Sequence, residues 1–453
     1  MNKARAQDLT PRRQGRAVAL AVLAVLAVLA ALLALLALPA AARAQEMPTS
    51  QACISCHLKQ KDPRLSAPAK TFGTDIHAQK GFTCLDCHGD VAHRGGDPRN
   101  IAPGIGFLTK PDRRDIPAMC GRCHSDPAFM KKYNPMLRVD EVAEYRTSVH
   151  GKRLLELGDT AVATCIDCHP AHRILPPSDP ASSVYPTHVA ATCGRCHSDA
   201  TRMARYHIPT NQVKLWTASV HGVQMLKKGD VTAPTCNDCH GNHGAAPPGA
   251  ADVPHVCGQC HAQVATIFAG NGHDSIFTAN KLPGCVTCHS NHDIVLPTDT
   301  LLTNRAHTVC ERCHAPGTPA AGQFVVMRGL IDSLSAVQTQ SQNVLNQADY
   351  LGMDVSQAQF DLSNVTTALT TARTAIHSFR ADSVAGQITA GLHTANKATR
   401  QGEAALAEHS YRRLGLAISV PFILGLAAAL WLRLRVIEAE QRDEDDTDYR
   451  ELH

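Results

Sequence analysis

Residues 236–243 read Cys236-Asn237-Asp238-Cys239-His240-Gly241-Asn242-His243, and the first five of them form a Cys-x-x-Cys-His motif. The motif occurs nine times and uses all 18 cysteines of the chain, so no cysteine is left over for a disulfide. The motif cysteines are Cys53, Cys56, Cys84, Cys87, Cys120, Cys123, Cys165, Cys168, Cys193, Cys196, Cys236, Cys239, Cys257, Cys260, Cys285, Cys288, Cys310 and Cys313. The histidines that directly follow them are His57, His88, His124, His169, His197, His240, His261, His289 and His314.

This spacing is the attachment signature of haem c. The two thiols bond to the vinyl groups of one porphyrin, and the next histidine lies under the iron as its proximal ligand. One such motif would also suit half a zinc site or a redox dithiol, and many cysteines in an exported chain would suit a disulfide framework. Zinc sites do not require a histidine directly after the second cysteine, yet all nine motifs have one. The sequence therefore predicts nine covalently attached haem c groups.

The motif region repeats internally. Ser148-Val149-His150-Gly151 recurs as Ser219-Val220-His221-Gly222, and the eight motifs after the first group into four pairs. Each pair has a leading histidine before its first motif and a trailing histidine after it: His77 and His93, His150 and His172, His221 and His243, His273 and His292. In the last three pairs the trailing histidine lies three residues past the proximal one, on the same face of a short helix. Two such neighbours cannot bind one iron from opposite sides, so we expect the trailing histidine to bind a neighbouring haem.

The leading and trailing histidines supply eight distal ligands for nine irons. A less regular set, His188, His255 and His307, lies five, two and three residues before a motif. We expect one of these three to serve the ninth iron, so that eight or all nine irons are bis-histidine. His207 aligns with Asn134 in the repeat and is interpreted as a surface histidine.

Composition supports a mainly α-helical chain with much irregular coil and a core built around haem. Aromatic residues make up only 4% of the chain, which also holds 30 glycines and 26 prolines. A region so poor in large apolar side chains cannot build an ordinary core, so the porphyrins are expected to supply most of the buried apolar surface. The net charge of +4 gives no reason to expect a nucleic-acid partner.

The N-terminus predicts export. Arg12, Arg13 and Arg16 precede an uncharged stretch from Ala17 to Ala42, and Ala42-Arg43-Ala44 gives an A-x-A cleavage pattern. We interpret residues 1–44 as a signal peptide. Because the apolar run is longer than a typical signal core, an uncleaved anchor is the alternative. Either form exports the motif region, and bacterial haem c is attached outside the cytoplasm, so the haem domain is expected in the periplasm.

A second apolar run predicts a membrane anchor. Leu414 to Leu432 is free of charge, ends near Trp431, and is bracketed by arginines on both sides. This length suits one crossing of the inner membrane of a bacterium, and we assign the transmembrane helix to residues 411–433. Since the haem region is exported, residues 434–453 form a cytoplasmic tail. That tail is acidic and is expected to be disordered.

Residues 319–410 predict a helical hairpin bundle. Apolar residues step by threes and fours from Met327 to Leu351, Gly352 breaks the pattern, and a second stripe runs from Val355 to Phe379. A third helix begins near Asp382 and runs into the membrane helix. We expect three antiparallel helices that serve as a spacer or as a surface for homo-oligomers. No cofactor role is expected here, because the only histidines are His377, His393 and His409.

The nine motifs, the Ser-Val-His-Gly repeat and the Cys-His-x-x-His pairs resemble the bacterial multihaem c-type cytochromes. Similar motifs occur in class III and doubled-motif cytochromes and, more distantly, in the membrane quinol dehydrogenases of nitrate and nitrite respiration and in octahaem cytochromes. The resemblance covers Cys53 to His314, within a predicted cytochrome domain at residues 45–318. It implies bis-histidine haems, anaerobic respiration, and other redox proteins or a quinol-oxidising membrane complex as partners. The C-terminal anchor and the larger number of haems differ from the quinol dehydrogenases.

Multihaem reductases of nitrite, hydroxylamine or tetrathionate are the enzymatic alternative. Their active haem keeps one axial position open, often with an unusual proximal ligand such as lysine. Here all nine proximal ligands are histidine, and spare histidines outnumber the irons that need a partner. The sequence therefore favours an electron carrier over a reductase or a quinol dehydrogenase.

Overall fold

A computed structural model describes residues 48–89, 91–93, 101–103, 110–302 and 309–451. The predicted signal peptide at residues 1–44 and the candidate ligand His307 lie outside these residues. The chain divides into two compact units, one up to His188 and one from Val189 onwards. The division falls inside the predicted cytochrome domain at 45–318, and the second unit includes the helical bundle.

The first unit contains short helices and one small β-hairpin. The helices are α1 (Pro48–His57), α2 (Pro63–Thr71), α3 (Ile76–Gln79), α4 (Cys84–His88), α5 (Ile116–His124), α6 (Pro127–Met130), α7 (Glu141–Thr147), α8 (Val149–Leu155) and α9 (Cys165–Cys168), with a 3₁₀ turn at Phe72–Thr74. Strands β1 (Val91–His93) and β2 (Ile101–Pro103) pair antiparallel, with His93 opposite Ile101.

The motif region of the second unit is built in the same way, from short helices joined by irregular chain. These helices are α10 (Pro186–His197), α11 (Ala200–Ala204), α12 (Gln212–Ala218), α13 (Val220–Lys228), α14 (Cys236–His240), α15 (Val253–Gly258), α16 (Ala262–Ala269), α17 (Gly272–Ala279) and α18 (Gly284–His289). Two 3₁₀ turns follow, at Asp299–Leu302 and Cys310–Arg312. The prediction of a mainly helical chain with much coil is confirmed.

Three long helices complete the second unit: α19 (Pro319–Tyr350), α20 (Ser356–Ala375) and α21 (Ala381–Glu451). Gln338 of α19 bonds to Thr366 of α20, and Asp361 of α20 pairs with Lys397 of α21. Ser341 of α19 bonds to Ala395 of α21, so successive helices are antiparallel. The three helices pack together as one bundle.

The apolar stripes of these helices pack against each other within the chain. Ile331, Leu334, Leu345 and Val365 are fully buried in one core. Burial of each such side chain stabilises the fold by about 1.5–3 kcal/mol. Buried apolar residues in the motif region are fewer and more scattered, as in the small cluster of Ala190, Trp216 and Met225. The bundle therefore holds the largest side-chain core among the described residues.

Two helix boundaries differ from the prediction. The second helix ends at Ala375, before a 3₁₀ turn at Ile376–Ser378, because Phe379 adopts a left-handed backbone with φ of 56°. The tail, expected to be disordered, is instead helical as far as Glu451. A segment that continues an existing helix needs no new nucleus, and its Glu and Arg residues favour a helix.

The third bundle helix and the apolar segment form one continuous helix, as predicted. Within the described part of the chain, one helical span, Ala381–Arg442, is long and apolar enough to cross a membrane. Leu414, Phe422 and Trp431 are exposed on it, so the chain itself does not cover this apolar surface. Arg412, which pairs with Glu408, stands just before the apolar segment.

Truncation after Ser410 should move the protein from the membrane fraction to the soluble fraction, because it removes the apolar half of α21. Cell fractionation with immunodetection of the protein measures this. A chain truncated after Arg442 is the control and should stay in the membrane. A Ser410 truncation that still sediments with membranes would show that another segment anchors the chain.

Candidate haem sites formed by opposed histidines

The first motif of three pairs forms a capped helical turn. Thr83, Thr164 and Thr235 are the N-caps, and their N–H groups donate to Asp86, Asp167 and Asp238 at 2.6, 2.7 and 2.8 Å. This capping box places the first cysteine at the first helical position and the second cysteine one turn later. The sequence signal for this box is the pattern Thr-Cys-x-Asp-Cys-His.

The chain changes direction directly after these motifs. Gly89 and Gly241 follow the motif histidines with φ of 84° and 83°, and Ser290 follows His289 with φ of 64°. His172 itself has φ of 67°, a conformation that is costly for a residue with a Cβ. These reversals direct the chain that follows each motif, which carries the trailing histidine, away from that motif.

All four leading histidines occupy the same helical position. Each stands two residues after an N-cap: Asp75, Ser148, Ser219 and Asn271 precede His77, His150, His221 and His273. The cap accepts a hydrogen bond from the first turn, as Asn271 does from the His273 N–H at 2.8 Å. The sequence pattern shared by all four is an N-cap residue, then one residue of any type, then the histidine.

The glycine of Ser-Val-His-Gly has a packing reason. A Cβ on Gly151 would lie 1.8 Å from the Tyr145 carbonyl oxygen, and one on Gly222 would lie 2.1 Å from that of Trp216. The serine hydroxyls donate to the same two carbonyls, at 2.6 and 2.7 Å. Serine and glycine together therefore fix the sharp turns between α7 and α8 and between α12 and α13, which position His150 and His221.

Among the described residues, six pairs of histidines from distant segments face each other. The ring centroids lie 5.9–6.4 Å apart in every pair: His77–His124, His88–His172, His221–His261, His240–His292, His273–His314 and His289–His377. One member of each pair directly follows a Cys-x-x-Cys. The other is a leading histidine in three pairs, a trailing histidine in two, and a bundle residue in the last.

This separation fits two imidazoles that bind one metal ion from opposite sides. A metal–imidazole bond of about 2 Å gives ring centroids about 6 Å apart across the metal. Zinc needs three or four side-chain donors, and no group of three His, Cys, Asp or Glu converges on one point among the described residues. Iron in haem takes four nitrogens from the porphyrin, so two histidines suffice. All 18 cysteines are free thiols, available for attachment.

Hydrogen bonds orient several of these rings. The Nδ1–H of His77 donates to Asp75 at 2.9 Å, that of His240 to the Ala246 carbonyl at 3.2 Å, and that of His377 to the Thr374 carbonyl at 3.0 Å. In the first motif, His57 donates in the same way to the Leu65 carbonyl at 3.0 Å. A bond at Nδ1 selects the tautomer whose Nε2 is free to bind a metal.

Burial keeps many of these imidazoles neutral, as metal binding requires. Desolvation lowers the pKa of at least one ring in five of the six pairs: His172, His221, His273, His289, His292 and His377. In most of them the facing histidine adds to the effect, as His314 does for His273. The electrostatics of the pairs therefore suit a ligand role at neutral pH.

Asp75 organises the first of these sites. It is 1% exposed, and besides His77 it accepts a hydrogen bond from the Ile174 N–H at 2.7 Å. Burial raises the pKa of its carboxyl, but the bonds from His77 and Ile174 outweigh burial, so the pKa lies below its ordinary value. One carboxylate thus caps α3, orients His77 and holds a segment of the second pair.

Equivalent bonds join neighbouring pairs within each unit. The Ile76 N–H donates to the Ile174 carbonyl at 2.8 Å, and the Val220 N–H donates to the Ile294 carbonyl at 2.8 Å. Both acceptors lie two residues after a trailing histidine, His172 or His292. The trailing segment of one pair is therefore docked against the leading segment of the pair before it.

Consecutive motifs also lie side by side in chain order. The first cysteine of one motif forms a side-chain hydrogen bond with the first cysteine of the next motif in four cases. These are Cys53–Cys84, Cys120–Cys165, Cys193–Cys236 and Cys257–Cys285. Electrostatic interactions between thiols link Cys87 with Cys123, Cys239 with Cys260, and Cys288 with Cys310. The motifs thus form one ordered run in the first unit, from the first to the fourth, and another in the second unit, from the fifth to the ninth.

The remaining candidate residues are placed as follows. His150 and His243 are half-buried, as are the motif histidines His169 and His197, and His93 lies in β1. His188 and His255 are exposed, and His188 is bonded through Nδ1 to the Ser182 carbonyl at 2.9 Å. His207 is exposed, as interpreted from the sequence. Neither His188 nor His255 is among the six opposed pairs.

Sequence reasoning missed His377. The residue was assigned to a bundle without a cofactor role, because no motif cysteine lies near it in the chain. The structure places its ring opposite His289, and only the fold of the bundle brings the two together.

Comparison with protein-family models, with curated proteins and with solved structures returned no match for this chain.

Replacing Asp75 by alanine should destabilise the first unit by about 2–4 kcal/mol, since it removes a helix cap and leaves the half-buried Ile174 N–H without its acceptor. The thermal unfolding midpoint of the protein should fall accordingly. Asp112→Ala is the control: Asp112 bonds to Arg114 in a similar local way but is exposed, so the midpoint should hardly change. Equal midpoints for both variants would refute the role given to Asp75.

Proposed function

We propose that this chain is a membrane-anchored, exported electron carrier that binds nine haem c groups covalently. The observation that carries the proposal is the set of six histidine pairs with one common centroid separation of 5.9–6.4 Å. Each pair contains the histidine of a Cys-x-x-Cys-His motif, so attachment and iron ligation meet at the same place. Haem c supplies a reversible one-electron iron couple when bound.

Different residues hold different parts of each haem. The motif thiols hold the porphyrin through its vinyl groups, and the motif histidine binds one face of the iron. The opposed histidine closes the other face and excludes substrate from the iron. Histidine on both sides also favours a lower potential than a histidine–methionine pair, because methionine ligation raises the potential.

The order of the motifs supports transfer between neighbours. Side-chain hydrogen bonds between Cys53 and Cys84, and between Cys120 and Cys165, hold the attachment points of successive haems side by side. In the second unit, Cys257 and Cys285 repeat the arrangement. Trailing histidines add a second link, because His292 belongs to the eighth motif by sequence yet faces His240 of the sixth. We infer two runs of haems ordered as in the sequence, one in each unit.

The pairing favours a carrier over a reductase. A reductase needs an iron with an open face, whereas in six motifs the structure places a second histidine opposite the first. The apolar segment of α21 supports a location at a membrane, with electrons exchanged with other redox proteins or with a quinol-oxidising complex. Export of the motif region follows from the N-terminal sequence and from the site of haem c attachment.

Electron paramagnetic resonance of the oxidised protein should show low-spin haem and little high-spin haem, because both faces of the irons are occupied. Carbon monoxide should barely change the spectrum of the reduced protein. In His292→Ala one haem of nine should become high-spin and bind carbon monoxide, since His240 loses its facing ligand. The control, His255→Ala, removes an exposed histidine and should leave the spectrum unchanged.

Two results would contradict the proposal. A His292→Ala protein that keeps nine low-spin haems would show that His292 does not bind iron. A full equivalent of high-spin haem in the unsubstituted protein, with binding of nitrite or hydroxylamine, would instead indicate a reductase.

A further inference from the structure

The pairing of trailing histidines leaves one motif without a partner from the repeat. His172, in the second pair of motifs, faces His88 in the first pair, and His292, in the fourth pair, faces His240 in the third. In both cases the trailing histidine faces the first motif of the preceding pair. No pair follows the fourth, so its first motif, with His289, receives no trailing histidine.

The turn between α20 and α21 lies where that ligand is needed. His377 occupies the 3₁₀ turn Ile376–Ser378, and its ring centroid lies 6.0 Å from that of His289. This separation falls within the 5.9–6.4 Å range of the other five pairs. The ring is half-buried, whereas His393 on the neighbouring helix α21 is exposed.

We propose that His377 is the distal ligand of the haem attached to Cys285 and Cys288. This inference rests on the proposed function and extends it. It replaces the expectation that His188, His255 or His307 supplies the additional ligand. The helical bundle is then part of the haem-binding structure rather than only a spacer to the membrane.

Local contacts hold the His377 turn against the last pair of motifs. Asn271, the cap of α17, donates from its side-chain amide to the His377 carbonyl at 2.8 Å. Phe379 lies with its ring centroid 3.9 Å from that of His273, the histidine opposed to His314. One turn of the bundle thus contacts the sites of the eighth and ninth motifs.

Further contacts tie α19 and α20 to the same region. Arg373 of α20 forms a two-pronged ion pair with Asp299, at 2.9 and 2.8 Å. Leu302 is buried in the bundle core, and Cys310 packs against it. These contacts fix the turn that carries His377, which lowers the cost of ordering this residue as a ligand.

A ligand from the bundle couples two parts of the chain. Metal ligation contributes to folding free energy when its ligands come from separate elements. Since α21 continues from the bundle into the apolar segment, the helix that follows the eighth haem's ligand is also the one suited to cross a membrane. We therefore expect loss of this ligand to loosen the packing of the bundle against the last motifs.

The test compares His377→Ala, His377→Met and His393→Ala in the full-length protein in detergent. In His377→Ala one haem of nine should become high-spin, and added imidazole should return it to low-spin. The covalent haem count should stay at nine, since Cys285 and Cys288 are unchanged. In His377→Met one haem should remain low-spin with a raised potential, because methionine ligation raises potential. His393→Ala should match the unsubstituted protein.

Separate outcomes distinguish this inference from the proposed function. If His292→Ala creates a high-spin haem and His377→Ala does not, His377 is not a ligand and the proposed function still stands. If neither variant creates one, the proposed function fails as well. Should His377→Ala fail to accumulate, His377→Met decides the question: nine haems with unchanged potentials would overturn the inference.

Discussion

Two imidazoles that bind one iron must face each other with ring centroids about 6 Å apart, and no short stretch of chain can supply both. Under the proposed function every haem therefore needs two separate segments of chain, and the local structure of the motif region brings such segments together. Capped helical turns position the motif histidines, and the N-caps of short helices position the leading histidines. Chain reversals at residues with positive φ direct the trailing histidines away from their own motifs. Because the motif region has few large buried apolar side chains, these local hydrogen bonds fix the positions of the histidines there.

The same constraint explains the order of the motifs. A leading histidine faces the second motif of its own pair, as His221 faces His261. A trailing histidine faces the first motif of the preceding pair, as His292 faces His240. The first pair of motifs is therefore joined to the second, and the third to the fourth, by facing histidines and by backbone hydrogen bonds at Ile76 and Val220. A repeat built in this way holds consecutive motifs side by side, which suits movement of electrons between neighbours.

Much of this arrangement could be predicted from the sequence. The nine motifs, the three-helix bundle and the C-terminal apolar span are visible as patterns, and the leading and trailing histidines His77, His172, His221, His273 and His292 lie in opposed pairs. The particular partner of each histidine could not be predicted, because partners lie far apart in the chain and only the fold brings them together. His377 was missed for that reason: its surroundings in the sequence are those of a bundle helix. The helical tail was missed because its acidic composition was weighed without the helix that it continues.

The most direct measurement is an experimental structure of the haem-loaded protein at a resolution that shows the irons and their axial ligands. We predict one iron between the rings of each of the six histidine pairs, including His289 and His377, and haems arranged within each unit in the order of their motifs. Irons found away from these pairs, or bound on their second face by water or by other side chains, would contradict the central claim that the opposed histidines are axial ligand pairs.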